Sequence, residues 1–135
     1  MEINGAYYFT GWSSSAGQGQ NDYVIMKTDT AGVVQWTEAY GGVENERVFN
    51  MHYNSRDSAI LLVGYTDYSS TSVSNRNTVL MSADLAGNLN WARSYGSTGT
   101  DGHWPAGITT NGDGLAITYL VFLIPLQVEG MMTFT

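Results

Sequence analysis

Residues 29–42 read DTAGVVQWTEAYGG, and residues 84–97 read DLAGNLNWARSYGS. Both fit D-x-A-G-x-x-x-W-x-x-x-Y-G, and their spacing of 55 residues sets the period of the chain. The match extends upstream. DYVIMKTD (22–29) aligns with NTVLMSAD (77–84), and NGAYYFTGWS (4–13) with DSAILLVGYT (57–66). A third, partial copy begins at ITTNGDGLAIT (108–118), which echoes MHYNSRDSAIL (51–61). A period of this length is the mark of stacked supersecondary units, each burying a face that it cannot bury alone.

Each period holds four strand-like segments, which in the second copy are 47–54, 59–66, 77–84 and 89–95. In the turn between the last two, Asp84 is placed to accept main-chain N–H groups and Gly87 to supply a positive φ. Asp29 and Gly32 are their counterparts, so these acids are turn-formers rather than catalytic groups. AILLV and TVLM are apolar on both faces and predict strands covered on both sides. The fourth segment alternates, with Leu89, Trp91 and Tyr95 expected on one face and Asn88, Asn90 and Ser94 on the other, the pattern of a half-exposed strand. Trp36 and Tyr40 hold the same places in the first copy. A sheet running from doubly buried to half-exposed strands, repeated at this period, predicts an all-β fold of β-propeller blades, each of four antiparallel strands.

The phrases Asp57…Gly64-Tyr65-Thr66, Asp22…Lys27…Asp29…Gly32…Trp36…Tyr40-Gly41-Gly42 and Asp84…Gly87-Asn88…Trp91…Tyr95-Gly96 resemble the extracellular β-propeller repeats of exported microbial proteins. The resemblance spans residues 4–118 and implies a binding or structural module in an extracellular setting. The chain departs from the pattern at Ser58, where the repeats carry Gly, at Ser82, opposite Lys27, and after Thr118, where YLVFLIPLQVEGMMTFT replaces the Gly-Tyr-Thr phrase.

On this reading 1–42 is an incomplete blade beginning at its second strand, 43–97 is a complete blade, and 98–135 is a partial blade with a divergent tail. That is about two and a half blades, whereas closed propellers have roughly four to eight. An uncovered blade face would leave Tyr7, Phe9, Ile60, Leu62 and the apolar run 115–126 facing water. Either the chain is a piece of a longer one or several copies assemble; homo-oligomerisation is the expectation, as two chains making a five-blade ring or as a head-to-tail filament.

Composition narrows the function classes. The formal charge is −7 and only 13% of residues are charged. An acidic chain with no basic cluster repels phosphate backbones and anionic membrane surfaces, so neither nucleic acid nor membrane is an expected partner. The absence of Cys excludes disulfides and thiolate metal sites. The run 115–126 is interrupted by Pro125 and too short for a spanning helix, and residues 1–12 lack the features of a signal peptide.

The polar loops 13–21, 41–46, 67–77 and 96–102 should emerge at one end of the blades and form the binding face. Trp12, Tyr65, Tyr68 and Trp104, with Asn75 and Asp101 nearby, are the residues suited to stack on and hydrogen-bond a glycan. Trp12 and Tyr65 are also repeat-equivalent, which fits packing. Glu44, Glu46 and Asp101, with loop carbonyls, are the groups suited to a hard cation such as Ca²⁺, although no D-x-[DN]-x-[DN]-G loop is present and no cofactor is expected. His52 and His103 fall on or near first strands. No G-x-S-x-G, H-E-x-x-H or phosphate-loop motif occurs, and a non-enzymatic module is the expectation.

Overall fold

The computed structural model describes residues 1–67 and 76–95 together with the strand backbone of 103–111 and 114–121. Among these residues the chain is all-β, without a helix. Four strands, β1 (Glu2–Ile3), β2 (Ala6–Ser13), β3 (Asp22–Thr28) and β4 (Val34–Tyr40), form one antiparallel sheet in chain order. A second sheet repeats this order with β5 (Asn45–Asn54), β6 (Ala59–Asp67), β7 (Arg76–Asp84) and β8 (Leu89–Tyr95). Strands β9 (His103–Asn111) and β10 (Gly114–Val121) pair as an antiparallel hairpin. The described strands close no barrel or ring, and among the described residues no helix is long and apolar enough to cross a membrane.

The first sheet does not begin at its second strand. Ile3 is buried and pairs with Ala6, because Asn4 and Gly5 both take positive φ (53° and 75°) and turn the chain back at once. Ser58, the counterpart of Gly5, is held at φ 50° in the equivalent turn. A left-handed conformation is one that Gly adopts without steric cost.

The two copies of the opening phrase make the same turn. Asp29 Oδ1 accepts N–H bonds from Ala31 and Val33, both at 2.9 Å. Asp84 Oδ1 accepts them from Ala86 at 2.9 Å and Asn88 at 2.8 Å. Gly32 and Gly87 follow with φ of 82° and 89°. These donors, the Asn88 side-chain amide foremost, hold the Asp84 carboxyl below its ordinary range.

Cross-strand partners share a sheet face, so the register defines two faces for each sheet. In the first sheet, Tyr8–Lys27–Trp36, Thr10–Ile25–Glu38 and Trp12–Tyr23–Tyr40 make the forward face, while Tyr7, Phe9, Gly11, Val24 and Met26 lie on the rear. In the second, Leu61–Ser82–Trp91 and Tyr65–Thr78–Tyr95 are forward, and Ile60, Leu62, Gly64, Val79 and Met81 are rear.

The forward face of the first sheet packs on the rear face of the second. Tyr8, Tyr23 and Ile25 share one core with Val48, Ile60, Leu62, Val79, Met81 and Ala83, and Trp36 and Tyr40 pack against it. β6 is buried along its whole length. Its forward side chains lie where β9 crosses β5, β6 and β7, much as β5 lies against β2 and β3 of the sheet before.

The fourth strand of the second sheet departs from the expected alternation. A bulge places Leu89 opposite Ala83 but Trp91 opposite Ser82, so Leu89 points rearward and Trp91 forward. Every residue of β8 except Tyr95 is exposed. Doubling a residue at a bulge shifts all later side chains to the other face.

Candidate functional site

The contact between the sheets is built from aromatic side chains that end in glycine sockets. The Tyr40 hydroxyl donates to Gly87 O at 2.6 Å, and the Tyr8 hydroxyl to Leu85 O at 3.2 Å. Trp36 lies so close to Gly87 that a β-carbon there would stand 3.2 Å from the indole. Tyr8 meets Trp36 edge-on, with ring centroids 6.0 Å apart. The Tyr23 hydroxyl donates to Tyr65 O at 3.3 Å, in a gap that exists only because residue 64 is glycine. A β-carbon on Gly64 would overlap both the Arg47 carbonyl and the Tyr23 hydroxyl.

The rear face of the first sheet is the same surface without its cover. Tyr7 and Phe9, the counterparts of Ile60 and Leu62, are 37% and 51% exposed, whereas Ile60 and Leu62 are 0% exposed. Gly11 and Gly32, the counterparts of Gly64 and Gly87, have open space around them. This is an apolar patch with sockets already formed.

A second feature lies at the ends of the strands, where the loop 14–21 meets the segment 41–44. Asn21 and Asn45 form a parallel bridge, with Glu46 N donating to Asn21 O at 2.7 Å and Gln20 N to Glu44 O at 3.2 Å. The Asn21 side-chain amide also donates to Asn45 Oδ1. Beneath this junction Asp22 is 0% exposed, and its carboxylate fits against Gly17 and Gly41, where β-carbons would overlap it. Asp22 Oδ2 accepts from Gly19 N at 3.2 Å, while Oδ1 is buried without a partner among the described residues. Glu46, also buried, accepts from the Thr66 hydroxyl at 2.8 Å and from Gly42 N at 3.2 Å. A cleft of about 610 Å³ opens beside it, walled by Tyr40, Val79, Met81 and Leu89.

Burial first, then the charges of Glu46 and Tyr65, push the Tyr23 phenol far above its ordinary range. Burial, then Glu38 and Asp84, raise Tyr40 from 10.0 to about 12. A raised folded-state value means that the neutral phenol is favoured by the fold. The contribution of Tyr40 is therefore complete below pH 10 and is lost as pH rises from 10 towards 12. Circular dichroism followed alongside tyrosinate absorbance should show loss of structure within that window, with a shallower loss in Tyr40→Phe.

Of the glycan-suited residues, Trp12 is half exposed, with the Arg47 guanidinium 4.7 Å from its ring centroid. Tyr65 is buried, 5.4 Å from Phe49 and 4.8 Å from the Arg76 guanidinium, measured to ring centroids for both partners of the first pair. Arg76 also pairs with Asp67 at 3.0 Å. Trp104 lies on β9, in register with Leu120. Tyr68, Asn75 and Asp101 lie outside the described residues. Of the cation-suited residues the structure brings Glu44 and Glu46 to one junction. It adds Asp22, which in the sequence stands only as the first residue of a repeat phrase. The available signal was the acid at the foot of a strand directly after the Gly-rich loop GQGQN, where the next repeat has Asn77. Among the described residues no cluster of three or more His, Cys, Asp or Glu side chains is poised for a metal. No family model matches the chain, and no curated protein matches it.

Proposed function

We propose that the protein is a structural module of β-propeller type, working outside the cell, whose repeat sheets are blades and whose function is assembly rather than catalysis. The observation that carries this reading is the equivalence of two rear faces. One is sealed by the aromatic forward face of the preceding sheet, and the other exposes Tyr7 and Phe9 around an open Gly11. The occupant that fits is the sheet of β9 and β10 from a second copy of this chain, because the forward face of the second sheet already has β9 across it. Such a heterologous contact closes into a ring or continues as a filament, depending on the rotation per step.

The test is Phe9→Asp, which sets a charge in the middle of the patch. Sedimentation velocity should show self-association of the wild-type chain and its loss in the variant, with unchanged circular dichroism. Association unaffected by Phe9→Asp would remove this face from the account.

The half-exposed Trp12 ring favours a second reading, a propeller that binds a glycan or protein at its polar loops. Alanine at Trp12, Tyr68 and Trp104 separates the two, because loss of glycan-array binding with intact assembly supports the second.

A further inference from the structure

Among the described residues, two buried carboxylates at the junction of the sheets lack a counter-charge. Asp22 and Glu46 are 0% and 8% exposed, and among the described residues neither forms an ion pair with Lys or Arg. Burying charge without compensation is costly, and a buried acceptor without a donor adds to that cost. The orphan oxygen is Asp22 Oδ1. It lies 2.0 Å from where a β-carbon on Gly41 would stand, and that same point is 2.8 Å from Glu46 Oε2. On the other side, the point where Gly19 would carry a β-carbon is 2.5 Å from both Gly42 O and Glu44 O, and 3.4 Å from Asp22 Oδ1. Asp22 Oδ1 thus stands between the Glu46 carboxylate, on its Gly41 side, and the carbonyls of Gly42 and Glu44, on its Gly19 side. The same position in the next repeat, Asn77, also holds a buried side-chain oxygen without a partner among the described residues.

We propose that Asp22, Glu46 and the carbonyls of Gly42 and Glu44 form a binding site for Ca²⁺. Hard oxygen donors of mixed type on flexible loops suit Ca²⁺, whereas Mg²⁺ demands near-octahedral geometry and keeps its waters. The ion clamps the loop 14–21 to the start of β5 and so ties the first sheet to the second. This site does not depend on the assembly reading and can be tested at concentrations where the chain is dispersed.

Calorimetric titration of the chelator-treated chain with CaCl₂ should show saturable binding, with a thermal midpoint higher in Ca²⁺ than in chelator and a much weaker response to MgCl₂. Asp22→Asn should bind about 100-fold more weakly, or not at all. It should keep its fold without Ca²⁺, since it removes a buried charge. Glu46→Gln is the second variant and should lose the response likewise. Tb³⁺ luminescence provides an independent readout, because Tyr23 lies near Glu46. The absence of a Ca²⁺-dependent heat or thermal shift in the wild-type chain would overturn the proposal. Equal binding by a folded Asp22→Asn chain would overturn it as well.

Discussion

Gly64→Ala is expected to cost about 3 kcal/mol of stability, the upper part of the range for overpacking a filled interior. Its φ is not at issue. The added β-carbon would overlap the Arg47 carbonyl, which is main chain, and the Tyr23 hydroxyl, which bonds Tyr65 O. Neither can yield without separating β5 from β6 or the two sheets from each other. Gly11→Ala is the matched control. It stands at the same place in the repeat with nothing within 4 Å of the new atom, so it should be neutral or stabilising by about 0.5–1 kcal/mol, as Gly→Ala is within a strand. Urea unfolding followed by tryptophan fluorescence measures both. Equal losses would show that the repeat glycines serve the strand backbone rather than the contact between sheets.

Leu62→Ala should have a comparable effect, about 3 kcal/mol, because Leu62 is fully buried between sheets and the cavity left cannot collapse without moving Tyr8, Tyr23 or Met81. Its counterpart Phe9 sits at the same point of an uncovered face. Phe9→Ala at high dilution should stay within about 0.5 kcal/mol of wild type, as substitutions of exposed residues do. A large loss for Phe9→Ala in dilute solution would mean that the rear face of the first sheet is covered within a single chain.

The strands were legible in the sequence because the hydrophobic pattern and the turn chemistry agreed. The expected segment 89–95 is β8 to the residue, and 59–66 and 77–84 differ from β6 and β7 by one residue at one end. Doubly apolar AILLV and TVLM became strands buried on both faces. Three things were not legible. The strand β1 is only two residues long and depends on consecutive positive φ values at Asn4 and Gly5. The bulge in β8 reverses Leu89 relative to Trp91, which no alternation of residue types reveals. The approach of Asp22 to Glu46 depends on the ends of β3 and β5 meeting in space, and their separation in sequence hides it. In each case the deciding quantity is a backbone angle or a non-local contact, whereas periodicity reports only which side of a regular strand is apolar.

The most direct test of the assembly account is the solution mass of the wild-type chain, by light scattering across a concentration series. The account predicts that the mass departs from the 14.7 kDa of one chain and rises with concentration, to a discrete multiple for a ring or without limit for a filament. A constant 14.7 kDa at every concentration, in a chain that remains folded, would contradict it.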